Sequence, residues 1–410
     1  MIILVRNESF GQVVFQRDTR KHKFISSKEK IKDKLTKEQK QFFCNELGIK
    51  YDPEDVEFVI KGIEYQKNVE IKNRLSAPLC LYLEITQWCP LNCAHCYKPD
   101  KPENEEKLTL DDYKKIIFEA HEMGVFEVRL CGNEPVLSEY FFEVCQFIKQ
   151  LKMHLSINTS GRLNDYYKKL LIDAEPDFVV VSMDAIPEIH DAVRCPGAFE
   201  NSYSILRKLT ERNIECRINC VLSKKTMNYI QEMVDTAKSI PCGISFIPLR
   251  TMGRPSWFKS EESMNPDAIR FCNNEITRCR MENLELPLEM FFDTFGGDFT
   301  AHHLMDFNTP CPAGKNGFVS AQASFYPCDW IRYLNEKYYC GNVLEEGLKN
   351  IWNFSKVLKD FQCIKRVGCE ECKYYLKRCY GGCWCSYTDT ISNHTYIDHL
   401  CPIMARNKYT

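Results

Sequence analysis

From Leu79 to about Met281 the chain alternates short apolar runs with amphipathic stretches, and the alternation repeats six times. The runs at Leu79–Thr86, Phe126–Leu130, His154–Asn158, Phe178–Met183, Glu215–Val221 and Ile244–Pro248 read as strands. Between them, Leu110–Met123, Glu139–Leu151, Asn164–Asp173, Phe199–Glu211 and Met227–Ser239 carry apolar residues at helical spacing. Repeated strand-then-helix units predict an α/β fold. Its parallel sheet is expected to curl into a partial (β/α)6 TIM-like barrel over residues 78–282, with ligands at the carboxyl ends of the strands.

The pattern changes on either side. Residues 1–72 show strand-like runs at Ile2–Arg6, Gln12–Gln16 and His22–Ser26, then helical patterns at about Thr36–Leu47 and Glu54–Tyr65, as a small winged-helix-like domain would. Between Arg17 and Lys40 ten Lys or Arg stand against four Asp or Glu, so this unit is locally basic. Residues 283–306 are poorly patterned and predict a bridge. Residues 307–410 are rich in turn residues and hold ten cysteines.

Composition narrows the class. With 410 residues, 44% hydrophobic and 27% charged, the chain is long enough for two or three ordinary globular domains. It has no apolar run of membrane-spanning length and does not open on a signal-peptide pattern, so a cytoplasmic protein is expected. Twenty-three cysteines in such a chain point to metal or cluster ligation in a reducing compartment rather than to disulfides.

The most informative motif is Trp88-Cys89-Pro90-Leu91-Asn92-Cys93-Ala94-His95-Cys96, directly after the first barrel strand. A cubane iron–sulfur cluster takes one thiolate per iron, so Cys89, Cys93 and Cys96 would leave one iron free for a small chelating cofactor. Structural zinc is the competing chemistry, but it usually draws on four ligands in spaced pairs. The C-x3-C-x2-C spacing resembles the signature of the radical S-adenosylmethionine (SAM) enzymes.

That resemblance extends along the barrel. Cys131-Gly132-Asn133-Glu134-Pro135 looks like the family's Gly-Gly-Glu-Pro turn, with Asn133 at the second glycine, and implies contacts from Gly132, Asn133, Glu134 and Pro135 to SAM. Asn133 in that place implies either a tolerated positive φ or an altered contact. Asn158 opens a turn like the family's Thr-Asn-Gly. The segment from Ser182 and Asp184 through His190 to Arg194 resembles one common in peptide-modifying members. It implies that Ser182 and Arg194 hold the SAM carboxylate or ribose, with Asp184 near the sugar. Asn219 on the fifth strand joins the same implied site, and Arg254 is implied to serve SAM or substrate or to cap the barrel.

The cysteine-rich tail resembles the SPASM module, with Ala323 at an expected glycine and six rather than five residues between Cys372 and Cys379. The resemblance implies one auxiliary cluster on Cys311, Cys328 and Cys383, and another on Cys369, Cys372, Cys379 and Cys401. Cys340 is the candidate for a fourth ligand to the first, with Cys363 and Cys385 behind it. The first seventy residues resemble a RiPP recognition element, which binds the leader of a precursor peptide as an added strand. Together these imply a peptide maturase using three [4Fe-4S] clusters and SAM. A flavodoxin or ferredoxin would act as electron donor, and no nucleic acid or membrane partner is expected. The bond formed is expected to be an oxidative thioether or C–C crosslink. Deleting residues 1–72 is then expected to weaken peptide modification while leaving SAM cleavage intact. The alternatives are a sulfatase-type maturase oxidising Cys or Ser of a protein, and a non-catalytic zinc or iron–sulfur nucleic-acid-binding regulator.

Overall fold

A computed structural model describes residues 1–27, 30–31, 34–62, 74–98, 108–250, 261–290, 314–333 and 336–363, together with Cys372, Cys383 and Cys401. The amphipathic repeats form an open, largely parallel sheet. Strands β5 (Cys80–Glu84), β6 (Glu127–Cys131), β7 (His154–Thr159), β8 (Phe178–Ser182), β9 (Glu215–Leu222) and β10 (Gly243–Pro248) each pair in parallel with the next. Helices α2 (Leu110–Met123), α3 (Phe141–Gln150), α4 (Asp165–Asp173), α6 (Ala198–Glu211) and α7 (Ile230–Ser239) connect them, and a short α5 (Pro187–Val193) precedes α6. Thr109 and Asp112 cap α2 reciprocally, and Gly124 ends it in a left-handed conformation, which fixes where β6 starts.

Two additions to the sheet were not legible as periodic segments. The region read as a bridge contributes β11 (Leu288–Met290), parallel to β10, after α8 (Pro266–Glu282); three residues are too few to show a period. On the far edge β12 (Gly317–Val319) pairs in parallel with β5. It carries β13 (Ser324–Tyr326) and β14 (Gly341–Asn342) as an antiparallel extension. The carboxyl-terminal module is therefore continuous with the barrel sheet. Helices α9 (Leu348–Phe354) and α10 (Lys356–Cys363) follow, and the buried Trp352 donates from its indole to the Leu75 carbonyl at 3.0 Å.

The first 62 residues build a second sheet in the order β3 (His22–Ser26), β2 (Gly11–Gln16), β1 (Ile2–Glu8), β4 (Glu57–Lys61), backed by α1 (Lys37–Leu47). The helix expected at Glu54–Tyr65 is instead a 3-10 turn at Pro53–Asp55 and strand β4; residues 63–65 lie outside the described residues. The reason is local. Asp52 accepts from Glu54 N–H and closes the turn, and the stiff Val59 and Ile60 then run parallel to β1.

This sheet is covered on both faces. Ile3, Val5, Val14 and Ile25 pack with Phe43, Cys44 and Leu47 of α1, while Leu4, Val13 and Phe15 belong to the same core as the barrel. On the barrel side the fully buried Arg6 donates to the carbonyls of Ala77, Pro78 and Gly124, and Glu8 accepts from Ser76. The β2–β3 turn reaches the amino-terminal end of the barrel, where Arg17 pairs with Asp177 at 2.9 Å and Arg20 with Glu127 at 3.1 Å. The amino-terminal sheet thus closes part of the barrel's own core.

Candidate functional site at the carboxyl ends of the strands

Strand register brings the expected residues to one rim. Glu84 pairs with Cys131, Thr159 with Val181, and Ser182 with Asn219, so the Cys89–Cys96 loop, the Gly132–Pro135 turn, Asn158, Ser182 and Asn219 all lie at the carboxyl ends of adjacent strands. The cysteine loop is held by its backbone. Thr86 Oγ1 accepts from Trp88 N–H at 3.1 Å, Trp88 O from Glu134 N–H at 2.9 Å, and Val193 O from Ala94 N–H at 2.9 Å. Burial pushes the Cys89 thiol up to about 12, and the nearby Glu134, Cys93 and Cys96 push the same way. Burial also raises Cys93, against the opposing charge of Arg194. Thiols in such a place ionise when a cation replaces the proton. Among the described residues no three His, Cys, Asp or Glu side chains converge as around a single ion; a cubane takes one thiolate per iron and holds them apart.

The Gly132 turn explains its own sequence. Gly132 has φ +120°, and a Cβ there would stand 2.8 Å from the Thr86 carbonyl oxygen. Asn133 is not among the described residues with positive φ; its amide donates to the Gln87 carbonyl, tying this turn to the cysteine loop. Asn133 therefore does not take up a positive φ. Glu134 is fully buried and accepts from Thr159 Oγ1, Ser160 N–H and Ser160 Oγ at 2.8, 2.8 and 2.6 Å. Burial raises its pKa although these donors oppose it. Its carboxylate thus organises the next turn, and Pro135 starts a 3-10 turn behind it.

Asp184 and Arg194 form a buried pair. Arg194 donates from Nε to Asp184 Oδ2 at 2.7 Å and from its second nitrogen to Oδ1 at 3.2 Å, and Val221 N–H adds a bond at 3.0 Å. Burial would raise the Asp184 pKa, yet the Arg194 guanidinium holds it well below the carboxylate range. The remaining Arg194 nitrogen lies 4.0 Å from Cys93 Sγ, and His95 Nε2 is 3.4 Å from the guanidinium. Asp184 therefore holds Arg194 against the cysteine loop, and His190 Nδ1 accepts from Asp184 N–H at 3.0 Å.

These residues fit an iron–sulfur cluster and SAM. The donor set is three thiols beside a guanidinium, and Asn158 Oδ1, at the end of β7, is buried with no partner among the described residues. In the tail, Cys328 follows β13 and Cys340 precedes β14; the Cys340 thiol donates to the Tyr338 carbonyl at 3.5 Å, and burial raises it to about 12. Cys383 is buried and Cys372 and Cys401 are partly so. Cys311, Cys369, Cys379, Cys385 and Arg254, and the side chain of Cys363, lie outside the described residues.

Sequence reading missed one constellation. The fully buried Glu84 ion-pairs with Lys98 and Arg332 and accepts from Ala321 N–H at 3.1 Å and Gln87 Nε2 at 3.4 Å. Burial favours its neutral form, but the two cations bring it down to about 2. Next to it Tyr97 donates to Asp329 at 2.8 Å. The available signal was Glu84 itself, a charge inside an apolar strand, which is rarely buried unless paired.

Comparison with known proteins agrees with this geometry. Residues 83–237 match the model of the Radical SAM superfamily, and residues 311–380 match that of an iron–sulfur cluster-binding domain, SPASM. The mycofactocin maturase MftC of Mycolicibacterium smegmatis is 24% identical over 330 residues, covering 77% of this chain and 80% of that protein. The PqqA peptide cyclase of Gluconobacter oxydans is 25% identical, covering 80% and 91%. Streptococcus suis SuiB, solved with its precursor peptide SuiA, superposes with a TM-score of 0.72 at 17% identity over 97% of this chain and 98% of SuiB. The structure of anSMEcpe with bound AdoMet gives 0.64 at 17% identity over 80% and 91%.

Proposed function

This chain belongs to the radical SAM enzymes that carry a SPASM domain, and from that premise we propose that it is a maturase of a precursor peptide, forming an oxidative thioether or C–C crosslink. When bound, the iron–sulfur cluster and SAM supply the hard chemistry, reductive cleavage of SAM to methionine and a 5′-deoxyadenosyl radical that removes a hydrogen atom from the peptide. The observation that carries the reading is the rim itself: three thiols after β5, the Gly132 turn, Asn158 Oδ1 with no partner among the described residues, and the Asp184-held Arg194.

In this reading Cys89, Cys93 and Cys96 hold the SAM-binding cluster. Gly132, Asn133, Glu134, Pro135, Asn158, Ser182, Asp184, Arg194 and Asn219 shape and line the SAM site, and the guanidinium of Arg194 offers its charge to a carboxylate. Two further clusters in the tail bring the total to three, the first on Cys311, Cys328 and Cys383 with Cys340 as fourth ligand, the second on Cys369, Cys372, Cys379 and Cys401. Residues 1–72 act as the leader-binding domain. Strand β3 is the terminal strand of its sheet, and Lys21 and Lys23 give that edge a basic character suited to an acidic leader. The match to SuiB, whose structure holds the precursor peptide SuiA, spans 97% of the chain, and this supports a peptide-leader enzyme. A flavodoxin or ferredoxin in the cytoplasm is the proposed electron donor, with no nucleic acid or membrane partner; among the described residues no helix is long and apolar enough to cross a membrane.

The test is iron and sulfide analysis with EPR on anaerobically reconstituted protein, with and without SAM. About twelve irons and a SAM-perturbed signal are expected from three four-iron clusters. Replacing Cys89, Cys93 and Cys96 with Ala is expected to abolish 5′-deoxyadenosine formation. A wild-type rate in that variant would overturn the assignment.

A further inference from the structure

Glu84 touches the end of the cysteine loop, the Gly132 turn and the tail, and none of the roles above uses it. It ends β5, just before the cysteine loop. Its carboxylate meets Lys98, two residues past Cys96, and Arg332, four residues past Cys328. The same group accepts from Ala321 N–H in the β12–β13 turn. Around it, Gln87 donates to Gln322 at 3.1 Å, Arg332 donates to Gln322 at 2.8 Å, and Tyr97 donates to Asp329. The Tyr97 ring packs against Trp330 and Tyr333, both at 6.1 Å between centroids. Finally, a Cβ on Gly132 would stand 2.9 Å from Glu84 Cγ, so the SAM-binding turn rests on the same side chain.

Such an arrangement is costly for a stability device alone. A buried ion pair recovers little more than its desolvation, whereas a satisfied buried network fixes one geometry over its neighbours. Its ends are not random: one cation follows the SAM-cluster cysteines and the other follows Cys328. We propose that Glu84 is a positioning residue whose carboxylate sets the Cys328 segment of the tail at a fixed place relative to the Cys89–Cys96 loop. This rests on the reading that both segments bind clusters. The ion pairs support it, because the one Glu84 carboxylate meets both cations, Lys98 from the loop side and Arg332 from the tail.

The full chain, reconstituted anaerobically, tests this with Glu84→Gln, Arg332→Gln and Arg332→Lys. Two readouts are used: amide exchange at Ala321, and the EPR signal and midpoint potential of the cluster that SAM does not perturb. Glu84→Gln and Arg332→Gln are expected to speed Ala321 exchange by about tenfold or more and to shift the SAM-insensitive signal, with the SAM-perturbed signal retained in Arg332→Gln. Arg332→Lys, which keeps the charge, is expected to recover most of both. Arg332 is partly exposed, so its Gln variant remains informative if Glu84→Gln does not fold. Wild-type exchange and a wild-type second signal in Arg332→Gln would overturn the proposal. If wild-type protein shows no SAM-insensitive cluster signal, the functional reading of the tail fails instead, and Ala321 exchange still decides whether Glu84 ties the two segments.

Discussion

Phe15 of the amino-terminal sheet and Phe126 at the entrance to β6 stack with ring centroids 5.3 Å apart and planes 5° from parallel. The contact lies inside the core that the barrel strands share, with the Arg6 guanidinium over the Phe126 ring, 4.8 Å from its centroid. Phe15→Ala should therefore destabilise the whole enzyme by about 3–5 kcal/mol, as deletion of a buried aromatic does. Urea unfolding would show it as one shifted transition. A change confined to a minor early transition would mean that the sheet unfolds by itself.

Gly132 admits no side chain. Gly132→Ala would force a Cβ against a backbone oxygen in a φ region that L residues avoid, costing about 1–3 kcal/mol locally. Loss of the SAM-induced EPR change with the cluster still present is the expected result. Asn133→Gly should be milder, since it removes only the hook to Gln87 O, a loss of about 1 kcal/mol.

His154 gives the fold an acid limit. Burial brings its pKa down from 6.5 to about 3, against the attraction of Glu127, and its Nδ1 donates to the Arg17 carbonyl. The folded state then binds fewer protons than the unfolded state between those values, so stability is present above pH 6.5 and falls as pH drops toward 3. The slope from this group is at most about 1.4 kcal/mol per pH unit. Denaturant titrations of His154→Gln should lose that part of the slope; a curve parallel to wild type from pH 6.5 to 4 would refute it.

Arg194 depends on Asp184. Arg194→Lys loses the two-pronged grip and should weaken SAM binding about 10- to 100-fold, the worth of a charged hydrogen bond. Asp184→Asn should cost more in stability, about 3–5 kcal/mol, because it leaves a buried guanidinium with no opposite charge. Equilibrium SAM binding to the reconstituted variants, beside their thermal midpoints, separates the two effects.

Much of this was legible in the residues. Period and length marked the six barrel strands to within a few residues, because strands buried under helices read as apolar runs bounded by capping residues. The cysteine spacing, the Gly132 turn and the Ser182–Arg194 segment were readable because each is a local cluster. Strand β4 was misread because three apolar residues, Phe58, Val59 and Ile60, between Glu57 and Lys61 suit either period. Strands β11 and β12 are three residues each and show no period at all.

What the sequence determined by itself was therefore local: the order of strands and helices, the three thiols after the first barrel strand, and the chemistry those thiols invite. What the tertiary structure decided was every relation between distant segments. Asn133 turns to Gln87, Phe15 to Phe126, and Glu84 to Arg332 across 248 residues. Each of these joins a buried charge, amide or ring to a partner that only folding brings near, and the cost of burying it alone is what makes the partner necessary.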